Sequence, residues 1–449
     1  MALNKLNLFS IVIVFLVCTP LAAKSVLFKS ANILDIKAGK FIKKQDVLVR
    51  DGKIVQIGKI TTSKKVMIIE ADNKYLVPGF TEMHAHVHPS QVSDAERDRL
   101  LFLFNAFGIT TIRGMLGHSY HLKMRKQLEN NEIAGSRLIT SGPSFNGSTI
   151  SSPEQAVKRA KTQFEKGYDF IKVHPGMSDA EYQAMVKQAN QLKFDFSGHV
   201  TAETGILKSV ELGQGTIEHL DGVLEELSRR SGNQNFSKTG FFGYGLTETI
   251  DNNLIQPLAK ELAESKIYLV PTQSFIANYV SPENPAAIAQ KPQYKLMPDS
   301  VIDNWKSSKK RFQNNKNYSK DKVDKFMSIR LAFLREYIKA GGKVLSGSDA
   351  PQVFNVPGDS LHDEMEWMHT AGMSPIEIFR STTIEPAKYF KRADEFGSIE
   401  LGKSADLVLL NANPLKDISN TREIEGVMTR GIWLSKTDIE KKLTELRLK

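Results

Sequence analysis

Five of the ten histidines fall at or just past the ends of short apolar runs that read as strands: His84, His86, His174, His199 and His219. Asp349 closes another such run, inside Ser346-Gly347-Ser348-Asp349-Ala350. In His84-Ala85-His86 the imidazoles stand two residues apart, and on a strand that spacing points both to one side. Two convergent neutral imidazoles are half of a site for Zn²⁺ or a similar ion. A lone histidine on an apolar strand is usually a hydrogen-bonded core residue. Four of them (His84, His86, His199 and His219) with Asp349, each at the same end of its strand, form a set of candidate metal ligands. Lys172 lies among apolar neighbours in Tyr168-Asp169-Phe170-Ile171-Lys172-Val173-His174. An amine there is costly to keep charged. Either it packs its stem and pairs with a carboxylate, or it serves the site. His118, His121, His362 and His369 lie off the strands and are expected at the surface or in supporting positions.

The elements that must hold these residues are legible from patterning. Between about Pro78 and Phe390, apolar runs alternate with helical stretches, the signature of βα units and a parallel sheet. Eight runs end near His84, Met115, Ser144, His174, His199, His219, Thr272 and Asp349. Eight units over this span fit a (β/α)₈ TIM barrel, whose usual size is ~250 residues before insertions. Active sites of that fold sit at the strand C-termini, which is where the candidate ligands fall. Ser178-Asp179-Ala180-Glu181 and Ser374-Pro375-Ile376-Glu377 have the spacing of helix capping boxes. Residues 24–77 and 391–449 read instead as short strands with turns, Asp51-Gly52 among them. They predict one small β-sandwich domain built from both ends of the chain. About 275–340 is longer than one loop and helix require, and residues 291–325 within it carry ten Lys or Arg against four Asp. This stretch is expected to be a solvated helical insertion over the barrel mouth, not a nucleic-acid surface.

Val77-Pro78-Gly79-Phe80 followed by His84-Ala85-His86 resembles the opening signature of the amidohydrolase superfamily of metal-dependent hydrolases. Thr216-Ile217-Glu218-His219 is similar to its sixth-strand motif, and Gly347-Ser348-Asp349-Ala350 to its eighth. Gly397-Ser398-Ile399 through Gly402-Lys403-Ser404-Ala405-Asp406-Leu407 resembles its return to the β domain. The likeness covers nearly the whole chain and is nearest to the branch of imidazolonepropionase and the prolidase-like dipeptidases. Arg113-Gly114 stands where that branch often has Arg-Asp, and Thr201 where a second histidine often follows the fifth-strand ligand. The resemblance implies two divalent ions, with zinc foremost. His84, His86 and Asp349 would hold one and His199 and His219 the other. Lys172, N-carboxylated by CO₂, would bridge them. A water shared by two such ions is acidified enough to supply hydroxide, with Asp349 as the catalytic proton carrier. The expected reaction is hydrolysis of an amide-type C–N bond in a dipeptide, N-acyl amino acid or cyclic amide. A one-metal deaminase or ring-opening enzyme, a lactonase, and an exported binding protein without catalysis are the alternatives. Arg113, His118, His174, Tyr244 and Tyr279 are the residues expected to reach the substrate.

The 449 residues are 41% hydrophobic and 24% charged, which excludes a disordered or fibrous chain. Sixty Lys and Arg against fifty Asp and Glu leave a net charge of +10, too dilute to argue for nucleic acid. Residues 1–23 have a basic start at Lys5, an apolar run from Leu8 to Val17 and a small-residue end at Ala22-Ala23. That is the layout of a signal peptide, so a periplasmic or secreted protein is expected. The single cysteine, Cys18, lies within it. Disulfide and thiol chemistry are therefore excluded from the expected mature chain.

Overall fold

The computed structural model describes residues 25–61, 65–88 and 92–447. The signal-peptide expectation for residues 1–23 lies outside them. Among the described residues no helix is long and apolar enough to cross a membrane.

The N-terminal strands are β1 (Ser25–Asp35), β2 (Lys40–Arg50), β3 (Lys53–Gly58), β4 (Met67–Glu70) and β5 (Tyr75–Pro78). β2 turns into β3 through Asp51 and Gly52, both at positive φ (47° and 75°), as a tight primed hairpin turn requires. After the central region come β14 (Leu407–Leu410), β15 (Ile424–Thr429) and β16 (Ile432–Ser435). Both sets join in one mixed sheet of order β16-β15-β14-β5-β1-β2-β3, with β4 on β1. The pairing of β14 with β5, Leu407 opposite Pro78 to Leu410 opposite Tyr75, is what ties the two chain ends together. Hydrogen bonding thus gives one continuous sheet from both ends. Its own core holds Val26, Phe28, Val47, Leu76, Leu407 and Met428.

Between those ends lie eight short strands in parallel pairing. They are β6 (Phe80–Ala85), β7 (Ile109–Gly114), β8 (Arg137–Thr140), β9 (Ile171–Val173), β10 (Phe196–Gly198), β11 (Thr216–Glu218), β12 (Tyr268–Val270) and β13 (Lys343–Val344). They form a sheet β6-β7-β8 and a second sheet β9 to β13. Parallel bridges Ser141 to Phe170 and Phe145 to Val173 lie between β8 and β9. A bridge from Ala85 to Ala350, with Met83 N–H donating to Ser346 O (2.9 Å) and Asp349 N–H to His84 O (2.8 Å), lies between β6 and the chain after β13. All eight sequence-expected runs contain a strand, but most stop short of their expected ends. Left-handed residues follow three of these strands: His219 (φ 62°) directly after β11, and Thr272 (φ 46°) and Asp349 (φ 64°) further on after β12 and β13.

Helices pack on these strands through apolar stripes. Leu101 and Phe104 (helix Asp94–Ala106), Leu258 and Leu262 (Ile255–Glu264) and Phe333 (Lys320–Lys339) share a core with Ile109, Ile112, Ile217 and Leu269. The helix at Asp179–Leu192 starts with the capping box read from sequence: Ser178 N–H donates to Glu181 Oε2 (2.9 Å), and Glu181 N–H to Ser178 Oγ (3.4 Å).

The long segment before β13 is helical, with helices at Asp299–Gln313 and Lys320–Lys339. Several of its lysines are paired: Lys306 with Asp303, Lys320 with Asp324, and Lys325 with Glu248. Lys309 is buried, its ammonium donating to Asn278 O (2.6 Å) and Ser281 O (2.8 Å) at the end of the helix Gln273–Val280. The favourable end of the helix dipole for a cation explains that burial.

Candidate metal centre

His84, His86 and Asp349 come together so that one ligand atom from each lies within 4.8 Å of the others. Asp349 Oδ1 is 2.7 Å from His86 Nε2 and 3.5 Å from His84 Nε2. Asp349 reaches this place because the chain before it presses against β6. A Cβ on Gly347 would stand 2.8 Å from His84 N, so only glycine fits there. Glu82 then staples the two segments, accepting from His84 N–H (3.0 Å), Ser348 N–H (2.8 Å) and Ser348 Oγ (2.6 Å).

His219 and His199 continue the cluster. Ring centroids are 4.6 Å apart for His84 and His219, and 4.8 Å for His219 and His199. Each of three rings spends one nitrogen on a supporting group. His84 Nδ1 meets Glu218 Oε2 at 2.7 Å, His199 Nδ1 meets Asp221 Oδ2 at 3.0 Å, and His219 Nδ1 meets Thr272 Oγ1 at 2.8 Å. That leaves Nε2 of each ring as the ligand atom, the usual arrangement around bound metal. Burial, reinforced by the neighbouring Lys172 ammonium, holds His84 and His219 well below the ordinary imidazole value, so both are neutral and able to ligate.

Lys172 is fully buried, and its Nζ has no hydrogen-bond partner. Burial lowers its amine to about 8. Its stem runs past Gly198, where a Cβ would lie 3.0 Å from Lys172 Cδ. An amine without a hydrogen-bond partner, beside imidazoles and a carboxylate whose Oδ1 approaches His86 Nε2 without hydrogen-bond geometry, is a donor set that a cationic metal centre would satisfy. The residues present therefore fit divalent metal ions.

The residues expected at the substrate divide. His174 stacks on His199 (4.9 Å, 28°) with its Nδ1 unpartnered, so it faces the cluster. Tyr279 is half-buried, stacked on Phe241 at 4.4 Å. Arg113, expected at the substrate, is held inside the fold. It is wholly buried and donates to Met83 O (2.7 Å), Thr216 Oγ1 (3.2 Å) and Glu218 Oε1 (2.7 Å). It orients the Glu218 carboxylate that orients His84. Tyr244 is buried against the helical segment. Its ring packs between Phe312 (5.2 Å) and Phe326 (5.4 Å) of the helical segment. His118 caps the helix Ser119–Glu129 and donates its N–H to His121 Nδ1 (3.1 Å), apart from the ligand set. His121 and His362 are buried core residues: His121 meets His88 O, and His362 meets Thr421 Oγ1 and Phe107 O.

Four contributors escape a reading by strand ends: Glu218, Asp221, Arg330 and Phe242. Arg330 lies on the helix Lys320–Lys339 and is fully buried. It donates to His219 O (2.8 Å), Pro271 O (3.1 Å) and Gln273 Oε1 (2.9 Å). One guanidinium thus fixes the carbonyl of a ligand and the turn carrying Thr272, which orients that ligand's ring. An arginine among the buried positions Phe326, Ile329, Phe333 and Leu334 was the available signal. Arg330→Met should leave two buried carbonyls without donors, at about 1–3 kcal/mol each. Metal affinity should fall by about 10–100-fold, as for other outer partners of metal ligands. Thermal melts and metal titration of the variant check both effects, and unchanged metal affinity in a folded variant contradicts this role.

With the geometry in place, the comparisons identify the class. The amidohydrolase family model matches residues 75–434, and the chain belongs to that family. Imidazolonepropionase of Shouchella clausii is 30% identical over 128 residues, 25% of this chain and 28% of that protein. Coverage of the curated relatives it matches is low throughout, only 14% of the length of a dihydroorotase from Carboxydothermus hydrogenoformans. Solved structures match over nearly the whole chain. Bottromycin amidohydrolase superposes with a TM-score of 0.73 at 19% identity, over 95% of this chain and 90% of that one. A Xaa-Pro dipeptidase superposes with a TM-score of 0.64 at 18% identity, over 92% and 100%. At those identities the likeness is one of fold.

Proposed function

We propose that the protein is a metal-dependent hydrolase that cleaves an amide-type C–N bond of a small molecule, such as a dipeptide, an N-acyl amino acid or a cyclic amide. The observation that carries this reading is the convergence of His84, His86 and Asp349 beside the buried, unpartnered amine of Lys172. In the same reading, the two parallel sheets close through their bridged seams into an eight-stranded barrel, with residues 78–390 as that domain. The β unit joins residues 24–77 to residues 391–449.

His84, His86 and Asp349 would hold one divalent ion, His199 and His219 a second, and Lys172 would reach both as a carbamate. Such ions, zinc foremost, would polarise the scissile carbonyl and acidify water for attack. Asp349 accepts the proton of the attacking water as its oxygen bonds to the carbonyl carbon. It then delivers that proton to the nitrogen as the C–N bond breaks. Glu82 and Ser348 keep the segment bearing Asp349 in register with His84 during this exchange. His174, stacked on His199, would border the substrate on that side of the centre.

The test is a panel of dipeptides, N-acyl amino acids, cyclic amides and lactones, offered to zinc-reconstituted and chelator-stripped protein. The expected result is release of amine or ring opening by the reconstituted protein alone. Cleavage of lactones with no amide cleaved would contradict the reading. Export is proposed on the same footing: protein recovered from its native compartment should begin near Lys24 by intact mass, and retention of Met1 would contradict it.

A further inference from the structure

A continuous set of aromatic rings leads away from the imidazoles of the metal centre. Phe242 lies against two of them, 4.8 Å from His219 and 5.9 Å from His199, nearly parallel to the latter at 14°. Phe241 follows at 4.7 Å, edge-on to Phe242. Tyr279 stacks on Phe241 at 4.4 Å, and Phe275 meets it at 5.8 Å. These rings come from two elements, the turn segment Phe241–Thr249 and the helix Gln273–Val280. Phe241, Phe242 and Tyr279 are only half-buried, so each keeps part of its surface uncovered.

The backbone is strained to bring Phe242 there. Its φ and ψ are 45° and 47°, in the left-handed region that a bulky residue rarely adopts. Glycines make the turn possible on the C-terminal side: at Gly243 a Cβ would stand 2.5 Å from Leu224 Cβ, and at Gly245 1.8 Å from Lys238 O. Strain of this kind, about 1–3 kcal/mol, persists where surrounding structure imposes it and clusters at ligand-contacting positions. Leu220 and Phe354 also have left-handed backbones but are buried in the core; Phe242 differs in being half-buried and in lying against two candidate ligand rings.

We propose that Phe242, backed by Phe241 and Tyr279, forms the substrate-contacting wall of an apolar subsite beside His199 and His219. The structure assigns to it an aromatic or bulky aliphatic group adjacent to the scissile bond. This rests on the hydrolytic reading above and narrows it to amides carrying such a group. Ring faces favour aromatic partners through offset or edge-on contacts beyond what apolar area alone supplies. A small or charged group at the same place would leave the rings facing water or would lose its own hydration.

The test separates binding from turnover. Full-length zinc-loaded protein is titrated with glycine hydroxamate, L-aspartate hydroxamate and L-phenylalanine hydroxamate, which share one metal-chelating end. The phenylalanine compound should bind at least about tenfold more tightly than the other two, the discrimination expected of one apolar side chain in its pocket. In Phe242→Ala that ratio should fall toward one, and in Phe242→Leu to an intermediate value. Leucine keeps the apolar bulk, so this second variant decides the matter if the first does not fold. Equal affinities in the wild type, or a ratio unchanged in both variants, would overturn the subsite. Amide hydrolysis with no preference for aromatic substrates would also overturn it while leaving the hydrolytic reading intact. Aromatic-selective hydroxamate binding with no amide cleaved would uphold the subsite and overturn the hydrolytic reading.

Discussion

Asp349→Asn is expected to lower turnover by about 10²–10⁴-fold, the range typical of a lost general acid–base. Asparagine keeps the volume and one oxygen of the carboxylate but cannot carry the proton between water and the leaving nitrogen. The position supports that assignment directly. Asp349 Oδ1 lies 2.7 Å from His86 Nε2, and Oδ2 lies 3.7 Å from His219 Nδ1, so the carboxylate stands between candidate ligands from different strands. Its backbone is held independently of the side chain by the hydrogen bond from Asp349 N–H to His84 O. The variant should therefore fold, and its melting curve and metal content establish that it has. A folded, metal-loaded Asp349→Asn enzyme with near-normal turnover would remove Asp349 from the proton path.

Lys172→Ala is expected to have the larger effect on metal. As ligands of two dications, four imidazoles and one carboxylate would supply a single negative charge, and a carbamate on Lys172 would supply another. Its formation joins the neutral amine nitrogen to the carbon of CO₂ and releases a proton. Loss of that bridge should weaken metal binding by more than the ~10–100-fold seen when a supporting partner is removed. Reconstitution of the wild type should improve with added bicarbonate, and acetate should partly restore metal to the variant. Normal metal binding by Lys172→Ala would instead mean that the buried amine only packs its stem.

Much of this centre was legible because strand ends are legible. An apolar run ending in histidine, four times over, is a local pattern, and parallel βα alternation directs all those ends to one side. The supporting residues were not legible, because their roles depend on contacts between distant segments. Glu218 stood inside a recognised motif, yet its partners His84 and Arg113 lie 134 and 105 residues away. Arg113 read as a mouth residue because its strand ends there, while its side chain turns inward to that carboxylate. Phe242 sits in an aperiodic, glycine-rich turn, where neither helical nor strand spacing gives any cue. Residues 291–325 read as a solvated helical insertion; helices Asp299–Gln313 and Lys320–Lys339 lie there, and composition concealed that Lys309 is buried at a helix end. The sequence predicts a small β-sandwich from both chain ends, and the structure pairs strands of both ends in one mixed sheet. Its continuity depends on the register of β14 on β5, which no local pattern encodes.

The proposed hydrolysis would use two ions held together through Lys172. The most direct measurement is the zinc content of bicarbonate-reconstituted protein, taken by elemental analysis on the same preparation whose amide hydrolysis is assayed. Close to two ions per chain, with Lys172 44 mass units heavier in native mass spectrometry as expected for added CO₂, is the expected result. Full activity with one ion per chain and unmodified Lys172 would contradict it.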